Sequence, residues 1–172
     1  INHPLGECGI TFVAAPELAA RLRSGFPGAQ EGAPLLIPAE STALRGALMH
    51  WLDQQGIRPR VVGELEDRAL MQAFGQKGVG VFVSPSVIDR EIAGQCQVEP
   101  IGSTDAVRER YYAISAERRL RHPAVVAISE AARLDIFRSG EIAGPGAGGL
   151  VTALWPSLGG SGSAEEPPTS VR

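Results

Sequence analysis

Lysine is almost absent from this chain: Lys77 is the only one, and arginine carries nearly all of the positive charge. Beside so much Ala and Gly, that skew reads as codon bias rather than as arginine chemistry. Basic residues number 16 against 19 acidic ones, a formal net charge of −3. A nucleic-acid surface normally shows a basic patch, so this balance argues against one within the stretch. Aromatics are only 5% of residues, which leaves the core to aliphatic side chains. Cys8 and Cys96 lie far apart and in no CxxC pair, which speaks against a disulfide framework or a cysteine metal site. Both are expected to be small buried hydrophobes. No apolar run approaches a membrane span, and no charged segment followed by an apolar one opens the chain as an export signal would. The expectation is a cytoplasmic protein with no membrane partner. The chain opens on Ile1 rather than Met, which suggests a fragment.

What is present is a regular alternation. The 172 residues, 44% apolar, suit one domain or two small lobes. Residues 8–15 form an apolar run that fits a buried strand. Residues 16–34 hold Pro and Gly with little periodicity and read mostly as connection, with one helical turn at 17–22. Leu35–Ile37 is the next strand. Leu44, Ala47, Leu48, Trp51 and Leu52 then mark one helical face, with Ser41 or Thr42 as its cap and Gly56 as its stop. A strand at 60–63 precedes a helix capped by Asp67, with Leu70, Ala73 and Phe74 on one face. A strand at 79–83 leads to Ser84-Pro85-Ser86, where Pro85 suits the first turn of a further helix. Residues 98–101 and 110–115 read as two more strands separated by a polar turn at 102–105. Pro123 opens a last helix. Residues 139–172 hold eight glycines and four prolines, and the segment 138–172 is expected to be a disordered tail.

Strands and helices in short alternation imply a mostly parallel sheet with helices on its faces. Ligands in such α/β sheets bind beyond the carboxyl ends of the strands. That rule points to residues 38–42, 63–67 and 84–86. The pattern at 35–101 is enough for one lobe, while the strand at 8–15 and the elements after 102 look like parts of a second.

Motifs with catalytic chemistry are wanting. Gly144-Pro-Gly146-Ala-Gly148-Gly149 spells GxGxxG, but within a Pro/Gly tail rather than between a strand and a helix. Gly75-Gln-Lys77-Gly78 lacks the ending of a phosphate loop. His3, His50 and His122 are not at metal-ligand spacing. No nucleophile–base pair stands out, so the reading is not an enzyme, and no cofactor is expected. The basic run Arg118, Arg119 and Arg121 reads as a solvated loop. One constellation remains: Glu64, Glu66 and Asp67 with Glu40 and the Ser41 and Thr42 hydroxyls, all at strand ends. Acids in a first helical turn offset the positive helix end, which is sufficient explanation by itself. Oxygen donors also suit a hard cation, and a free helix N-terminus suits an anion. Both readings stay open.

Three stretches carry a family resemblance. Leu35-Leu-Ile-Pro-Ala-Glu-Ser-Thr-Ala-Leu-Arg45, the run from Trp51 to Glu64, and Ala69-Leu-Met-Gln-Ala-Phe-Gly75 resemble the second lobe of a LysR-type effector domain. Leu5-Gly-Glu-Cys-Gly9, Gly63-Glu-Leu-Glu-Asp67 and the stretch Ala116 to Val125 are similar, more narrowly, to activators of Na+/H+ antiporter genes. The resemblance covers about residues 2–137 and leaves the tail unmatched. It implies an α/β fold of two Rossmann-like lobes of periplasmic-binding-protein type, the first incomplete and the second complete. Residues 1–15 and 102–137 would belong to lobe I, and 16–101 to lobe II with its connection. It implies effector-binding positions at Ser41, Thr42, Gly63, Glu64, Asp67 and Ser84, with metal ligands undefined. The implied partners are a small effector such as Na+, a homodimer or homotetramer, and DNA reached only through a winged helix-turn-helix outside this chain. The rival reading is the solute-binding protein of a transporter, which shares the two-lobe fold.

Overall fold

The computed structural model describes residues 2–115 and 123–137. The Arg118, Arg119, Arg121 and His122 region, the GxGxxG stretch and the tail expected at 138–172 lie outside the described residues. Ten elements follow in order: β1 (Asn2–Ala14), α1 (Pro16–Arg23), β2 (Pro34–Pro38), α2 (Ala43–Gln54), β3 (Arg60–Leu65), α3 (Arg68–Gln76), β4 (Phe82–Pro85), α4 (Asp89–Cys96), β5 (Glu99–Ile114) and α5 (Pro123–Ala131).

Two ladders make one sheet. β4, β1 and β5 pair in that order, and β2 pairs with β3. Val81, one residue before β4, bridges in parallel to Leu35 and joins the two. Its N–H donates to the Pro34 carbonyl at 2.8 Å, and its carbonyl accepts from Leu36 N–H at 2.8 Å. The order is therefore β3-β2-β4-β1-β5. β2 and β3 run parallel, whereas β1 runs antiparallel to both of its neighbours. The sheet is mostly parallel, as the alternation implied, with one reversed strand inside it.

Helices cover both faces, and this explains why residues 8–14 are apolar without alternation. Every one of them is buried. Ile10, Phe12 and Ala14 join Leu18 and Leu22 of α1 and Leu48, Trp51 and Leu52 of α2 in one core. Val13, Leu36, Met71, Phe82, Cys96 and Val98 form the other. The few aromatics are concentrated: the ring of Phe12 lies 5.5 Å from Phe26 and 5.6 Å from Trp51, and Phe26 stacks on Trp51 at 6.3 Å. Such pairs contribute about 0.5–1.5 kcal/mol each beyond burial. Both cysteines are free and buried.

Three expectations need correction. Residues 8–15 do not stand apart from the 35–101 sheet: Ile10–Val13 pair with Phe82–Pro85, so this half of β1 lies inside that sheet, between β4 and β5. A boundary at residue 15 therefore falls between a strand and the helix that packs on it. Second, the strands expected at 98–101 and 110–115 are one strand of 16 residues, β5. Its polar 102–105 segment pairs with Ile10–Phe12 rather than turning. Third, Pro85 ends β4 instead of opening a helix; a single 3-10 turn at Ser86–Ile88 intervenes before α4.

β1 and β5 outrun the sheet. Their far halves pair from Asn2↔Ile114 to Cys8↔Glu109 as a two-stranded ribbon, with register shifts at Pro4/Gly6 and Cys8/Ile10. Gly9 sits at the second shift, where a Cβ would lie 2.5 Å from Asp105 Oδ1 and 2.6 Å from the Thr104 carbonyl oxygen. α5 and the π turn Ala132–Ile136 continue from the ribbon. Arg133 Nε donates to the Pro4 carbonyl at 3.0 Å, and the Tyr111 and Phe137 rings lie 5.4 Å apart.

One glycine is a packing requirement. A Cβ at Gly75 in α3 would overlap the Phe82 ring. Gly75→Ala should cost about 1–3 kcal/mol through overpacking, despite the better helix propensity of Ala. The urea midpoint checks this; an unchanged or raised midpoint would show that the Phe82 ring moves aside freely.

Candidate functional site

β2, β3 and β4 end on the same side of the sheet, and the ribbon leaves it there. Between them lies a cleft of about 690 Å3. Thr42, Leu65, Glu66, Arg68 and Met71 line it from the sheet and helix side, while Glu7, Arg108, Glu109, Arg110 and Tyr112 line it from the ribbon.

The α2 and α3 starts are fixed by local chemistry. Thr42 Oγ1 donates to the Ala39 carbonyl at 2.9 Å and accepts from Arg45 N–H at 3.3 Å, capping α2. Asp67 Oδ1 accepts from Leu70 N–H at 3.0 Å and caps α3. The cap leaves Arg68 as the first residue of α3, aimed at the ribbon. Its Nη2 and Nη1 donate to Glu109 Oε1 and Oε2 at 2.7 and 3.3 Å. Such a two-pronged geometry is the favourable one for a guanidinium and a carboxylate. Tyr111 OH donates to the same carboxylate at 3.3 Å. Glu7 accepts from Arg110 Nε at 3.3 Å and forms an ion pair with Arg108, whose Nε lies 3.0 Å away. Both signs of charge line the cleft, cross-braced between helix and ribbon.

Local surroundings shift several groups. Burial, helped by the charge of Glu109, pushes the Tyr111 phenol well above its ordinary value. Burial raises the Cys8 thiol and outweighs hydrogen bonds from Val87 and Ser86. Burial works against the Arg68 charge, but the hydrogen bonds and charge of Glu109 outweigh it and hold the guanidinium above its usual range.

The six positions implied by the resemblance divide. Thr42 lines the cleft. Ser41 is exposed in the turn before α2. Glu64 is engaged with Arg45 Nη1 at 2.7 Å, a hydrogen bond that holds its carboxyl below the usual carboxylate range. Asp67 is the α3 cap. Gly63 abuts Leu36, whose Cδ2 lies 2.9 Å from where a Cβ would stand. Ser84 is buried beneath α4. Helix capping and a local ion pair thus account for Asp67 and Glu64. Sequence reasoning did not single out Arg68 and Glu109, which pair across 41 residues. The one sequence signal was the charged alternation Arg108-Glu109-Arg110, which marks a strand with both faces polar. Among the described residues no three His, Cys, Asp or Glu side chains converge as a metal site. No helix there is long and apolar enough to cross a membrane.

Comparison with known proteins bears on this geometry. The LysR substrate binding domain family matches residues 1–134. The transcriptional activator protein NhaR of Escherichia coli K12 is 37% identical over 124 residues, covering 70% of this chain and 39% of that protein. NhaR of Shigella flexneri matches equally. The chain thus spans about two fifths of the length of the curated relatives it matches. Among solved structures, the AmpR effector binding domain of Citrobacter freundii aligns with a TM-score of 0.56 at 17% identity, over 79% of this chain and 67% of that one. The Synechocystis CcmR regulatory domain, in complex with 2-PG, aligns at 0.54 and 13% identity, over 79% and 66%. These structures share the fold, that of LysR effector domains of periplasmic-binding-protein type.

Two outcomes are expected. In a Tyr112→Phe background, phenolate absorbance should place Tyr111 above the ordinary tyrosine range. Its folded-state value is raised, so its stabilising contribution is complete below the unfolded value of about 10 and is lost as pH rises past it. Titration of Tyr111 at the model-peptide value would remove the buried, Glu109-facing environment. Asp67→Ala should lower stability by ~1 kcal/mol through loss of the cap, read as a urea midpoint, whereas Asp67→Asn should retain most of it.

Proposed function

We propose, from the premise that this chain belongs to the LysR substrate binding domain family, that it is the effector-sensing part of a LysR-type transcriptional activator. The observation that carries the reading is the cleft, bounded by the strand ends on one side and the two-stranded ribbon on the other. A family whose members sense small molecules needs such a crevice where two bodies can move against each other.

The ribbon is read as the crossover toward a neighbouring lobe, to which α5 and residues beyond 105 contribute. Exposed Ile114, Val125, Ile128 and Leu134 are the apolar surface such a lobe would cover. DNA contact is assigned to a winged helix-turn-helix outside this chain, in the portion of the relatives that the chain does not span. We read the whole protein as a cytoplasmic homodimer or homotetramer. The resemblance to activators of Na+/H+ antiporter genes extends the reading to a sodium response and to control of such a gene. Family membership favours this over a transporter's solute-binding protein.

The mechanism is a population shift. An effector that binds one arrangement of sheet and ribbon better than another moves the equilibrium by that difference in affinity. The Arg68–Glu109 bridge ties α3 to β5 and is the interaction an effector would compete with or reinforce. Small polar molecules or ions suit it, because the lining offers both charge signs. Thr42 and Arg68 are the first contacts to test; Asp67, as the α3 cap, sets the direction of Arg68.

The test is hydrogen exchange at 42–47 and 106–112 during titration with sodium, lithium and potassium chlorides at fixed ionic strength. Sodium should change protection there more than potassium, and Arg68→Gln should weaken the change several-fold. Equal responses to all three salts would end the sodium-sensor reading.

A further inference from the structure

The end of the sheet remote from the cleft gathers cations. β2 and β3 start there, with Pro34 and Arg60 as register partners. Arg60 N–H donates to the Ala33 carbonyl at 2.9 Å, which fixes the backbone from which its side chain leaves. A helix between parallel strands runs back against them, so α3 ends where β2 and β3 begin. Its last turn closes with Gly78 and Val79 N–H donating to the Gly75 and Phe74 carbonyls at 3.0 and 3.2 Å. That closure uses Gly78 at a φ of 77° and leaves Lys77, the only lysine of the chain, at the helix end. Because β1 is reversed, it too finishes here, and α1 begins beside Gly78: a Cβ on that glycine would stand 3.9 Å from Ala15 Cβ. Leu18 is buried in the core and sets the roll of α1; Arg21, three residues on, lies on the same side of the helix.

These pieces enclose a pocket of about 420 Å3, whose charged lining is Arg21, Arg60, Lys77 and Glu17. That is the size of a small-molecule site rather than of a single ion. Arg23, Arg45, Arg68, Arg108 and Arg110 each pair with a glutamate. Among the described residues, the side chains of Arg21, Arg60 and Lys77 pair with no carboxylate. Cations held together without a counter-charge repel one another, and an anion among them relieves that repulsion. Three positive charges against one negative leave the lining at +2. A phosphate monoester carries about −1.5 to −2 at neutral pH and presents three strong acceptor oxygens. Guanidinium forks take such oxygens in pairs, and an ammonium adds a point charge. Duplex DNA suits the place less, since duplex binding spreads many phosphate contacts along a surface and this charge is gathered in one hollow.

We propose that Arg21, Arg60 and Lys77 form a second binding site, for a small phosphorylated molecule. The phosphate sits among the three cations, and the rest of the ligand lies against Pro34 and Leu18. Occupancy ties α1, the start of β3 and the end of α3 together. Arg68 begins the helix that Lys77 ends, so α3 has the cleft at one end and this site at the other. The site is distinct from the Thr42 and Arg68 cleft, and the inference stands if the cleft reading fails.

The experiment titrates the full chain calorimetrically with glycerol 3-phosphate, inorganic phosphate, succinate and a short DNA duplex at fixed ionic strength. Glycerol 3-phosphate should bind at one site per chain, and the other small anions several-fold more weakly. Arg60→Gln and Lys77→Gln should each weaken binding about ten-fold, and the double variant should abolish it. Both residues are exposed, so the thermal midpoint without ligand should not change. Glu17→Gln should tighten binding by removing the one negative charge. Arg68→Gln, in the cleft, should leave it unaltered. Failure of glycerol 3-phosphate to bind would overturn the proposal, as would binding that survives the double variant. Equal affinity for inorganic phosphate or succinate would remove the phosphorylated molecule as the ligand. A duplex that binds more tightly than the ester through the same residues would replace it with nucleic acid, and loss of binding in Arg68→Gln alone would place the anion in the cleft instead.

Discussion

A strand running against its neighbours holds this molecule together. The inner half of β1 is buried on both faces and flanked on both sides by strands. Its Phe12 seats the aromatic trio of one core and its Val13 belongs to the other. Neither core closes without it. Because β1 is reversed, its outer half and the outgoing end of β5 leave the sheet together and on the same side as the carboxyl ends of β2 and β3. The cleft is a consequence of that reversal: a parallel β1 would have started at the opposite edge and left the strand ends open to solvent.

Charge in the cleft follows the same logic. On the ribbon, Arg108, Glu109 and Arg110 follow one another and meet Glu7 and the start of α3. The ribbon's charges then need partners, and the capped start of α3 supplies Arg68 in the direction of Glu109. Only 13% of the Glu109 side chain is exposed while Arg68 is half exposed, so the carboxylate is the member that depends on the pair. Removing a partner from a charge that has lost most of its water costs more than the pair contributes when intact.

Much of the architecture was legible in the sequence because its signals are local. The 3.6-residue spacing of Leu44, Leu48, Trp51 and Leu52, and the caps Thr42 and Asp67, place α2 and α3 close to where they lie. What was not legible depends on contacts distant in sequence. The apolar run at 8–14 shows burial but not which sheet buries it; its pairing with 82–85 is a tertiary fact. The polar stretch at 102–105 resembles a turn because its partner strand lies some 90 residues away, as the Thr11 to Ser103 bond shows. In the candidate site, Thr42 could be read from its cap, whereas the Arg68–Glu109 bridge joins residues with no local relation. Glu64 and Asp67 drew attention as clustered acids, and local structure absorbs both.

Gly9 carries an implication for how the two ends of this molecule can move. The backbone of Thr104 and the side chain of Asp105 come so close to its α-carbon that no side chain fits between the strands. At that point the ladder slips by three residues, so the paired backbones are at their thinnest and least braced. Flexure of a paired ribbon concentrates where the bonding is interrupted, as a folded card bends along its score. Any relative rotation of what lies on either side of the crossover would then pivot within a residue or two of Gly9, and a bulkier residue there would set the angle permanently.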